Sequence, residues 1–245
     1  MPNILVTGAS RGIGRAIVQP LADRGARLAL HYRADAAAAE QTRKSLKGEG
    51  HIAISADLSN PADAERLWND ATRQLGEIDA LINNAGIYPD HPPLTTDFAQ
   101  WQAAWQRTLA TNLLGPAHLS YLAARAMAAR GAGRIVSISS RGAFRGEPTA
   151  PAYAASKAGL NSFSQSLAKA LAPSAVFVFV VAPGWVATER VSEKIGNPAV
   201  LADQPLGRVA TPEEVAQVAT YCALDAPASL TGSILDVNGA SYLRS

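Results

Sequence analysis

The sequence has a single cysteine, almost equal numbers of basic and acidic residues, and no histidines at the spacing of a metal site. Cys222 is the only cysteine among 245 residues, which excludes an intramolecular disulfide framework and a cysteine metal cluster. The chain has 22 basic and 20 acidic residues, so its net charge of +2 provides no field that would hold nucleic acid or an anionic membrane. The four histidines show no ligand spacing, and we expect no metal site. A lone cysteine is consistent with a reducing compartment, so a cytoplasmic protein is expected.

Long hydrophobic runs are also missing. The longest run, residues 175–182, is far shorter than the about 20 residues of a membrane-spanning helix, and it reads as a buried strand. The first run, residues 4–6, follows no basic segment, so no signal peptide is expected. Charged residues make up 17% and hydrophobic residues 48% of the chain, which excludes a disordered protein. Its length predicts a single domain over residues 1–245.

Short apolar runs alternate with longer amphipathic stretches along the whole chain. Strands are predicted at residues 4–7, 27–32, 51–56, 78–83, 134–139, 176–182 and 233–237. Helices are predicted at residues 13–24, 34–48, 61–75, 98–129, 150–171 and 212–224. The helix at 98–129 contains Gly115-Pro116, where a helix can bend. This order predicts an α/β protein of the Rossmann type, a doubly wound parallel sheet of about seven strands with helices on both faces. Ligands of such sheets bind beyond the carboxyl ends of the strands.

Three glycines lie between the first predicted strand and its helix, in Thr-Gly-Ala-Ser-Arg-Gly-Ile-Gly at residues 7–14. Without a Cβ, they let the backbone turn sharply and approach a ligand closely. The N terminus of the helix offers N–H groups and the positive end of its dipole to a pyrophosphate. A tight turn without a ligand is the alternative, but the position in the first strand-helix-strand unit favours a dinucleotide. The residues predicted to contact it here are Gly8, Ser10, Arg11, Gly12, Ile13 and Gly14.

Tyr153 and Lys157 are spaced by four residues and share one face of a predicted helix. A free phenol has a pKa near 10, so acid–base chemistry near pH 7 needs a pKa lower by roughly three units, or about 4 kcal/mol. One ammonium at ~4 Å contributes about 4 kcal/mol at an effective dielectric constant of 20, and burial of the phenol opposes this. Lys157 alone is therefore marginal, and a cationic nicotinamide would supply the rest. A Tyr–Lys pair packed on a helix surface is the alternative.

These segments together resemble the short-chain dehydrogenase/reductase family over essentially the whole chain. The matching segments are the glycine turn, Asn-Asn-Ala-Gly at residues 83–86, Ser140 thirteen residues before Tyr153, the Tyr-x-x-x-Lys pair and Pro183-Gly184. The resemblance implies that Tyr153 exchanges a proton with the substrate oxygen and that Ser140 hydrogen-bonds that oxygen. It also implies that Lys157 binds the nicotinamide ribose hydroxyls. Asn112, which alone would suggest a helix-surface amide, matches the family's asparagine that anchors a water beside the lysine.

The resemblance implies further dinucleotide contacts at three strand ends. Residues 57–58 would contact the adenine, and the turn at residues 183–188 would contact the nicotinamide, with Thr188 at its carboxamide. The two amides and the glycine of residues 83–86, at the fourth strand end, can hydrogen-bond the ligand and brace the neighbouring loops. Without the resemblance, these segments would suggest an Asx turn, a polar turn and a Pro-Gly turn. The dinucleotide contacts predicted outside the glycine turn are Arg33, Asp57, Leu58, Asn84, Ala85, Gly86, Tyr153, Lys157, Pro183, Gly184, Val186 and Thr188.

The end of the second predicted strand bears on the choice of cofactor. An acidic residue there favours a free 2′-hydroxyl, whereas arginine favours a 2′-phosphate. Tyr32 occupies the family's usual acidic position and Arg33 follows it, while Arg11 in the glycine turn can also approach a 2′-phosphate. Both arginines favour NADP(H) over NAD(H). Asp35 is the rival, but its surroundings look like a helix start, where Asp is a common cap.

The substrate is less well defined by the sequence. Its walls are predicted at residues 88–94, 141–150 and after Thr188, and a mobile lid is predicted at about residues 189–210. Arg141, Arg145 and Arg190 lie near this mouth, either to attract an anionic substrate or as solvated surface charges. The overall similarity points to the 3-oxoacyl-acyl-carrier-protein reductase branch. Arg130 lies near a carrier-docking position of that branch, whereas the turn at residues 172–175 lacks the second basic residue. A 3-oxoacyl thioester, a sugar, a steroid and a small ketone or alcohol all stay open.

Two expectations concern activity and assembly. Relatives that bind a dinucleotide without turnover usually lose the tyrosine or the lysine, and both are present here, so catalysis is favoured over a regulatory role. The helices at residues 98–129 and 150–171 are rich in alanine, and the family resemblance implies a homotetramer built from such faces.

Overall fold

The computed structural model describes residues 1–189 and 198–244. Its strands are β1 Asn3–Val6, β2 Arg27–Tyr32, β3 Ile52–Ser55, β4 Ala80–Asn83, β5 Gly133–Ile138, β6 Val176–Pro183 and β7 Ile234–Val237. Its α-helices are α1 Gly12–Asp23, α2 Ala36–Ser45, α3 Pro61–Leu75, α4 Phe98–Leu109, α5 Gly115–Arg130, α6 Gly142–Arg145, α7 Pro151–Leu171, α8 Pro198–Ala202 and α9 Pro212–Leu224. Short 3₁₀ turns follow at Ala172–Ser174 and Ala228–Leu230.

The strands form one parallel sheet in the order β3-β2-β1-β4-β5-β6-β7. Leu5 at the centre of β1 pairs with Ala29 of β2 on one side and Leu81 of β4 on the other. The order reverses between β1 and β4, which creates a crevice at their carboxyl ends. The predicted doubly wound α/β architecture is confirmed, and the glycine turn after β1 lies beside this crevice.

Two hydrophobic clusters cover the two faces of the sheet. Alternate strand residues point to opposite faces, so Ile4 packs in one cluster and Leu5 in the other. The first cluster joins the sheet to α1 and α9 through residues such as Ile17 and Val215. The second joins it to α3 and α5 through residues such as Leu67. A sheet covered on both faces needs apolar strands, which accounts for the low charged fraction.

The predicted helix at residues 98–129 is interrupted by a π-helical segment, Ala110–Leu114. Pro116 has no N–H to donate to the carbonyl of Asn112, so regular α-helical bonding cannot pass this point. The neighbouring Gly115 packs so close to Leu58 that a Cβ on it would lie 2.5 Å from the Leu58 carbonyl oxygen. The bend anticipated at Gly115-Pro116 is therefore a π turn placed just before it, and such turns are frequent at functional sites.

Other predicted boundaries differ from the structure. The second helix begins at Ala36, because the Asp35 carboxylate accepts from the Ala38 N–H at 2.9 Å and caps it. The short helices α6 and α8 were not predicted. Of the predicted lid, residues 190–197, with Arg190, lie outside the described residues. None of the helices in the described ranges combines the length and the apolar character needed to cross a membrane.

Candidate active site

The glycine turn after β1 has the backbone conformation that requires glycine. Gly8 and Gly12 have φ angles of +64° and +54°. A Cβ on Gly14 would lie 2.0 Å from the Gly8 carbonyl oxygen, so only glycine allows this approach of α1 to the turn. α1 begins with no side-chain cap and no acidic residue in its first turn. Its first N–H groups and its dipole therefore suit an anion such as a pyrophosphate.

Thr7 and Asn84 lock this turn to the end of β4. The Thr7 hydroxyl oxygen accepts from the N–H groups of Asn84 and Ala85, each at 2.9 Å. In return, the Asn84 amide donates to the carbonyls of Thr7 at 2.8 Å and Gly8 at 3.1 Å. Asn84 and Ala85 thus lie against the turn as the sequence predicts. This role of Thr7 was not predicted, although its position at the end of β1, just before the glycines, is the signal that could have indicated it.

The residues predicted to select the cofactor lie after β2 and in the glycine turn after β1. Arg33 and Arg11 are both exposed, and Arg33 is close enough to Asp57 to help lower the pKa of that carboxyl. The larger cause of this lowered pKa is the pair of hydrogen bonds from Ser59, which form the Asx turn considered from the sequence. Leu58 beside it is buried in the second hydrophobic cluster, so only its backbone can face a ligand. Since Asp35 caps α2, it is engaged as the sequence suggested.

Ser140, Tyr153 and Lys157 come together at the carboxyl end of β5. Lys157 is only 4% exposed, and its ammonium donates to the Ile138 carbonyl at 2.7 Å. The same ammonium lies 5.8 Å from the centroid of the half-buried Tyr153 ring. The Ser140 hydroxyl oxygen accepts from the Gly142 N–H at 3.0 Å. Within the described ranges the Ser140 hydroxyl proton has no protein acceptor, so it can be donated to a substrate oxygen.

Asn112 lies in the π segment, where it is fully buried beside this group. Its amide oxygen accepts from the Ile87 N–H at 2.8 Å, and its amide nitrogen donates to the Ile87 carbonyl at 2.9 Å. The nitrogen also reaches the Ser156 hydroxyl at 3.2 Å. A Cβ on Gly86 would lie 3.4 Å from the Asn112 oxygen and 3.6 Å from the Lys157 nitrogen. Because both polar atoms of the Asn112 side chain bond the Ile87 backbone, the predicted water would have to bind the backbone of Asn112. This role stays a prediction.

Two predicted substrate walls meet at the tyrosine. The rings of Tyr88 and Tyr153 are 4.7 Å apart at their centroids. The Tyr88 hydroxyl donates to the Glu147 carboxylate at 3.1 Å, and burial raises the pKa of this phenol. Glu147 also lies against Gly142, since a Cβ on that glycine would be 2.6 Å from a carboxylate oxygen. The sequence placed both residues in wall segments, but no local pattern predicted that they bond.

The arginines predicted near the mouth are partly neutralised. Arg141 is buried and lies 3.3 Å from the Asp203 carboxylate, and Arg145 lies 3.0 Å from the same oxygen. Burial lowers the pKa of Arg141, with the charge of Arg145 as the next cause. Arg141 also bonds the Ser241 hydroxyl near the C terminus. These contacts join α6 to the segment after α8, so the two cations serve a structural ion cluster.

The segment after β6 returns to the glycine turn. The Gly184 N–H donates to the Val237 carbonyl at 3.0 Å, and a Cβ on Gly184 would lie 3.0 Å from the Asn238 Cα. The Thr188 methyl group lies 3.4 Å from where a Cβ on Gly12 would be. The segment that starts at Pro183 therefore comes back to α1. Val186 is buried in the first hydrophobic cluster, so its predicted cofactor contact also falls to the backbone.

Comparison with known proteins agrees with this geometry. A family model described as Enoyl-(Acyl carrier protein) reductase matches residues 8–240. The 3-oxoacyl-[acyl-carrier-protein] reductase of Escherichia coli (strain K12) is 36% identical over 241 residues, 98% of this chain and 96% of that protein. The cis-4-hydroxycyclohexanecarboxylate dehydrogenase of Sinomonas cyclohexanicum is 36% identical over 243 residues, 96% of this chain and 94% of that protein. A solved structure described as a short chain dehydrogenase/reductase family protein superposes with a TM-score of 0.86 at 35% identity, covering 97% of this chain and 96% of that chain.

These relatives imply an oxidoreductase with a nicotinamide dinucleotide cofactor. The glycine cradle, the anion-binding end of α1 and the room left by Gly86 beside Lys157 fit such a group. The chain belongs to the short-chain dehydrogenase/reductase family.

Proposed function

We propose that the protein is an NADP(H)-dependent oxidoreductase that interconverts a carbonyl group and an alcohol. The observation that carries this proposal is the convergence of Ser140, Tyr153 and Lys157 at the end of β5, next to the glycine turn. The Lys157 ammonium lies 5.8 Å from the Tyr153 ring, and the Ser140 hydroxyl is held by Gly142. This group can hold an oxygen atom and exchange a proton with it.

The roles of the side chains follow from their positions. A nicotinamide ring, when bound, supplies or accepts the hydride. In the reducing direction the Tyr153 phenol gives its proton to the substrate oxygen, and in the oxidising direction the phenolate takes it back. Ser140 donates a hydrogen bond to the same oxygen and orients it. The Lys157 ammonium stabilises negative charge on the phenol oxygen, an interaction that its burial protects from solvent screening.

The preference for NADP(H) rests on two arginines at neighbouring strand ends. β2 lies beside β1, so Arg33 after β2 is placed alongside the glycine turn that contains Arg11. An arginine–phosphate contact supports charge-assisted hydrogen bonds that a ribose hydroxyl cannot match. Asp35, the acidic competitor, is occupied as the cap of α2.

Steady-state kinetics with both cofactors test this preference. We expect kcat/KM to be much higher with NADPH than with NADH. Arg33→Ala is expected to lower the ratio of the two kcat/KM values by about 10- to 100-fold, which corresponds to one hydrogen bond to a charged group. Arg27→Ala is the matched control, because Arg27 is the first residue of β2 and lies at the opposite end of the strand from Arg33. Equal kcat/KM values with the two cofactors in the unmodified protein would contradict the proposal.

The substrate is proposed to be a ketone or an alcohol, with a 3-oxoacyl thioester as the form suggested by the E. coli relative. Arg130, the residue considered for carrier docking, is only 19% exposed and donates to the carbonyls of Ile78 and Ala132. It also lies 3.4 Å from Asp79. These internal contacts favour a free small molecule over a carrier-bound one.

Comparing one acyl group on two carriers tests this choice. Two thioesters of the acetoacetyl group, one with an acyl carrier protein and one with a short thiol, are assayed as substrates at the same NADPH concentration. We expect similar KM values and no effect of Arg130→Ala on their ratio. A much lower KM for the carrier-bound form, abolished in Arg130→Ala, would assign a carrier-docking role to Arg130.

The proposed homotetramer is supported by exposed apolar side chains on α4 and on the segment around α5. Phe98 is 74% exposed, and Leu114 and Tyr121 are about half exposed. Large exposed side chains of this kind often mark a surface that another subunit covers. Light scattering is expected to give four times the mass of the chain, and a monomer mass would contradict this proposal.

A further inference from the structure

His31, on β2, is a buried histidine that joins two of the loops at the carboxyl ends of the strands, the one after β1 and the one after β3. It is 3% exposed. Its Nδ1 accepts from the Gly8 N–H at 3.1 Å, and its Nε2 lies 3.0 Å from the Ala56 carbonyl oxygen. Its own backbone carbonyl accepts from the Ala9 N–H at 2.9 Å. One residue thus holds both the first residues of the glycine turn and the chain that follows β3.

These contacts define the protonation of the ring. A backbone N–H can only donate, so Nδ1 must be unprotonated, and a carbonyl can only accept, so Nε2 carries the hydrogen. Only the neutral tautomer with the proton on Nε2 satisfies both neighbours. Burial keeps this form by lowering the pKa of His31 to about 4, although the carboxylates of Asp57 and Asp63 oppose the shift.

The two loops joined by His31 are the ones proposed to contact the pyrophosphate and the adenosine of the dinucleotide. The glycine turn, with Gly8 at a φ angle of +64°, leads into the anion-binding end of α1. The segment after Ala56 contains Asp57, whose carboxylate is held by Ser59 and lies near Arg33. A shift of either loop would change the distance between a pyrophosphate site and an adenosine site.

We propose that His31 is a positioning residue for the dinucleotide: its Nδ1 holds the glycine turn at Gly8, and the contact of its Nε2 with Ala56 anchors the ring beneath that turn. This inference rests on the proposed use of a nicotinamide dinucleotide. His31 is buried beneath the loops, and both of its ring nitrogens contact backbone groups. Its contribution is therefore expected in the binding of the dinucleotide and not in the chemical step.

Two substitutions separate the two ring contacts. In His31→Asn, the amide oxygen stands where Nδ1 is and can still accept from Gly8, but nothing reaches Ala56. In His31→Gln, the amide nitrogen extends as far as Nε2 and can still donate to Ala56, but the Gly8 N–H loses its acceptor. His31→Leu removes both contacts. Loss of a buried hydrogen-bond partner typically lowers the equilibrium constant for the state that contains the bond by about tenfold.

The experiment measures the Kd for NADPH by the fluorescence of the bound reduced nicotinamide, without substrate, at a temperature where every variant is folded. We expect the Kd to rise about tenfold in His31→Gln and at least as much in His31→Leu, and to stay within about threefold of the unmodified protein in His31→Asn. The KM for NADPH should follow the Kd. The kcat at saturating NADPH and the KM for the carbonyl substrate should change little. If His31→Leu does not fold, the contrast between Asn and Gln decides alone.

Several results would overturn the proposal. Equal Kd values for NADPH in the Asn, Gln and unmodified proteins, with lower melting temperatures in both variants, would show a purely structural role. A fall in kcat at unchanged Kd would place His31 in the chemical step. If the unmodified protein binds neither NADPH nor NADH, the proposed function fails together with this inference, whereas tight binding by all variants removes the inference alone.

Discussion

Acidification from about pH 7.5 to about pH 5 is expected to reduce the free energy of unfolding by about 2 kcal/mol through His31. Burial lowers the pKa of His31 from 6.5 to about 4 in the folded protein. In the unfolded chain the imidazole binds a proton near its ordinary pKa, while the folded protein resists protonation. The stabilisation is therefore complete above about pH 6.5 and is lost as the pH falls toward about 4, where the full loss reaches about 3 kcal/mol.

Urea unfolding at the two pH values measures this effect. His31→Asn and His31→Gln have no titrating group at this position, so their stability should fall by about 2 kcal/mol less than that of the unmodified protein between the two pH values. The carboxyls of Asp57 and Asp63 face His31, but their pKa values lie below the ordinary value of 3.8. Their stabilising contributions are lost only at pH values below this window.

Comparing the change in the free energy of unfolding between the two pH values removes the destabilisation that each substitution causes at every pH. Each variant loses a hydrogen bond and is expected to be less stable at both pH values, which does not affect the difference between them. Equal losses of stability on acidification in the variants and the unmodified protein would refute the assignment of a neutral, proton-resistant His31. Such a result would also weaken the tautomer deduced from its contacts with Gly8 and Ala56.

Two further predictions concern activity and stability. Lys157→Met removes the buried ammonium that lies 5.8 Å from the centroid of the Tyr153 ring. An ammonium about 4–6 Å from a phenolate oxygen contributes about 3–4 kcal/mol at an effective dielectric constant of 20, so kcat/KM for carbonyl reduction should fall at least about 100-fold. A fall of less than about threefold would contradict this role. Thr211→Ala removes the hydroxyl oxygen that accepts from the Glu214 N–H and leaves the other half of the capping box, the bond from the backbone N–H of residue 211 to Glu214. Calorimetry should show a loss of about 1 kcal/mol and a melting temperature about 2–4 °C lower, with kcat unchanged.

Local sequence patterns predicted most of the fold and the places in it of the residues proposed to be catalytic. The alternation of apolar runs and amphipathic stretches predicted the parallel sheet, because each strand and each helix carries its own periodicity. The spacing of Tyr153 and Lys157 placed them on one face of α7, since residues four apart on a helix are always neighbours. The glycine turn was predictable for the same reason, as its geometry depends on residues adjacent in the chain.

Contacts between distant parts of the chain were not predictable in this way. The bonds from His31 to Gly8 and Ala56, and from Tyr88 to Glu147, join residues more than twenty positions apart. No periodicity encodes such pairs, because they depend on how the strands are ordered and how the loops pack. The π turn around Asn112 was missed for a related reason, since the bond-breaking effect of Pro116 is expressed several residues earlier in the helix.

The dependence of carbonyl reduction on Tyr153 is the most direct test of the account. The rate of NADPH oxidation is measured for Tyr153→Phe with a ketone or 3-oxoacyl thioester that the unmodified protein reduces. Tyr121→Phe is the matched control, because Tyr121 is an exposed tyrosine on α5. The account predicts that kcat/KM falls by about 10²–10⁴-fold in Tyr153→Phe, that the Kd for NADPH stays near that of the unmodified protein and that the control keeps full activity. Activity within about twofold of the unmodified protein in Tyr153→Phe would contradict the account.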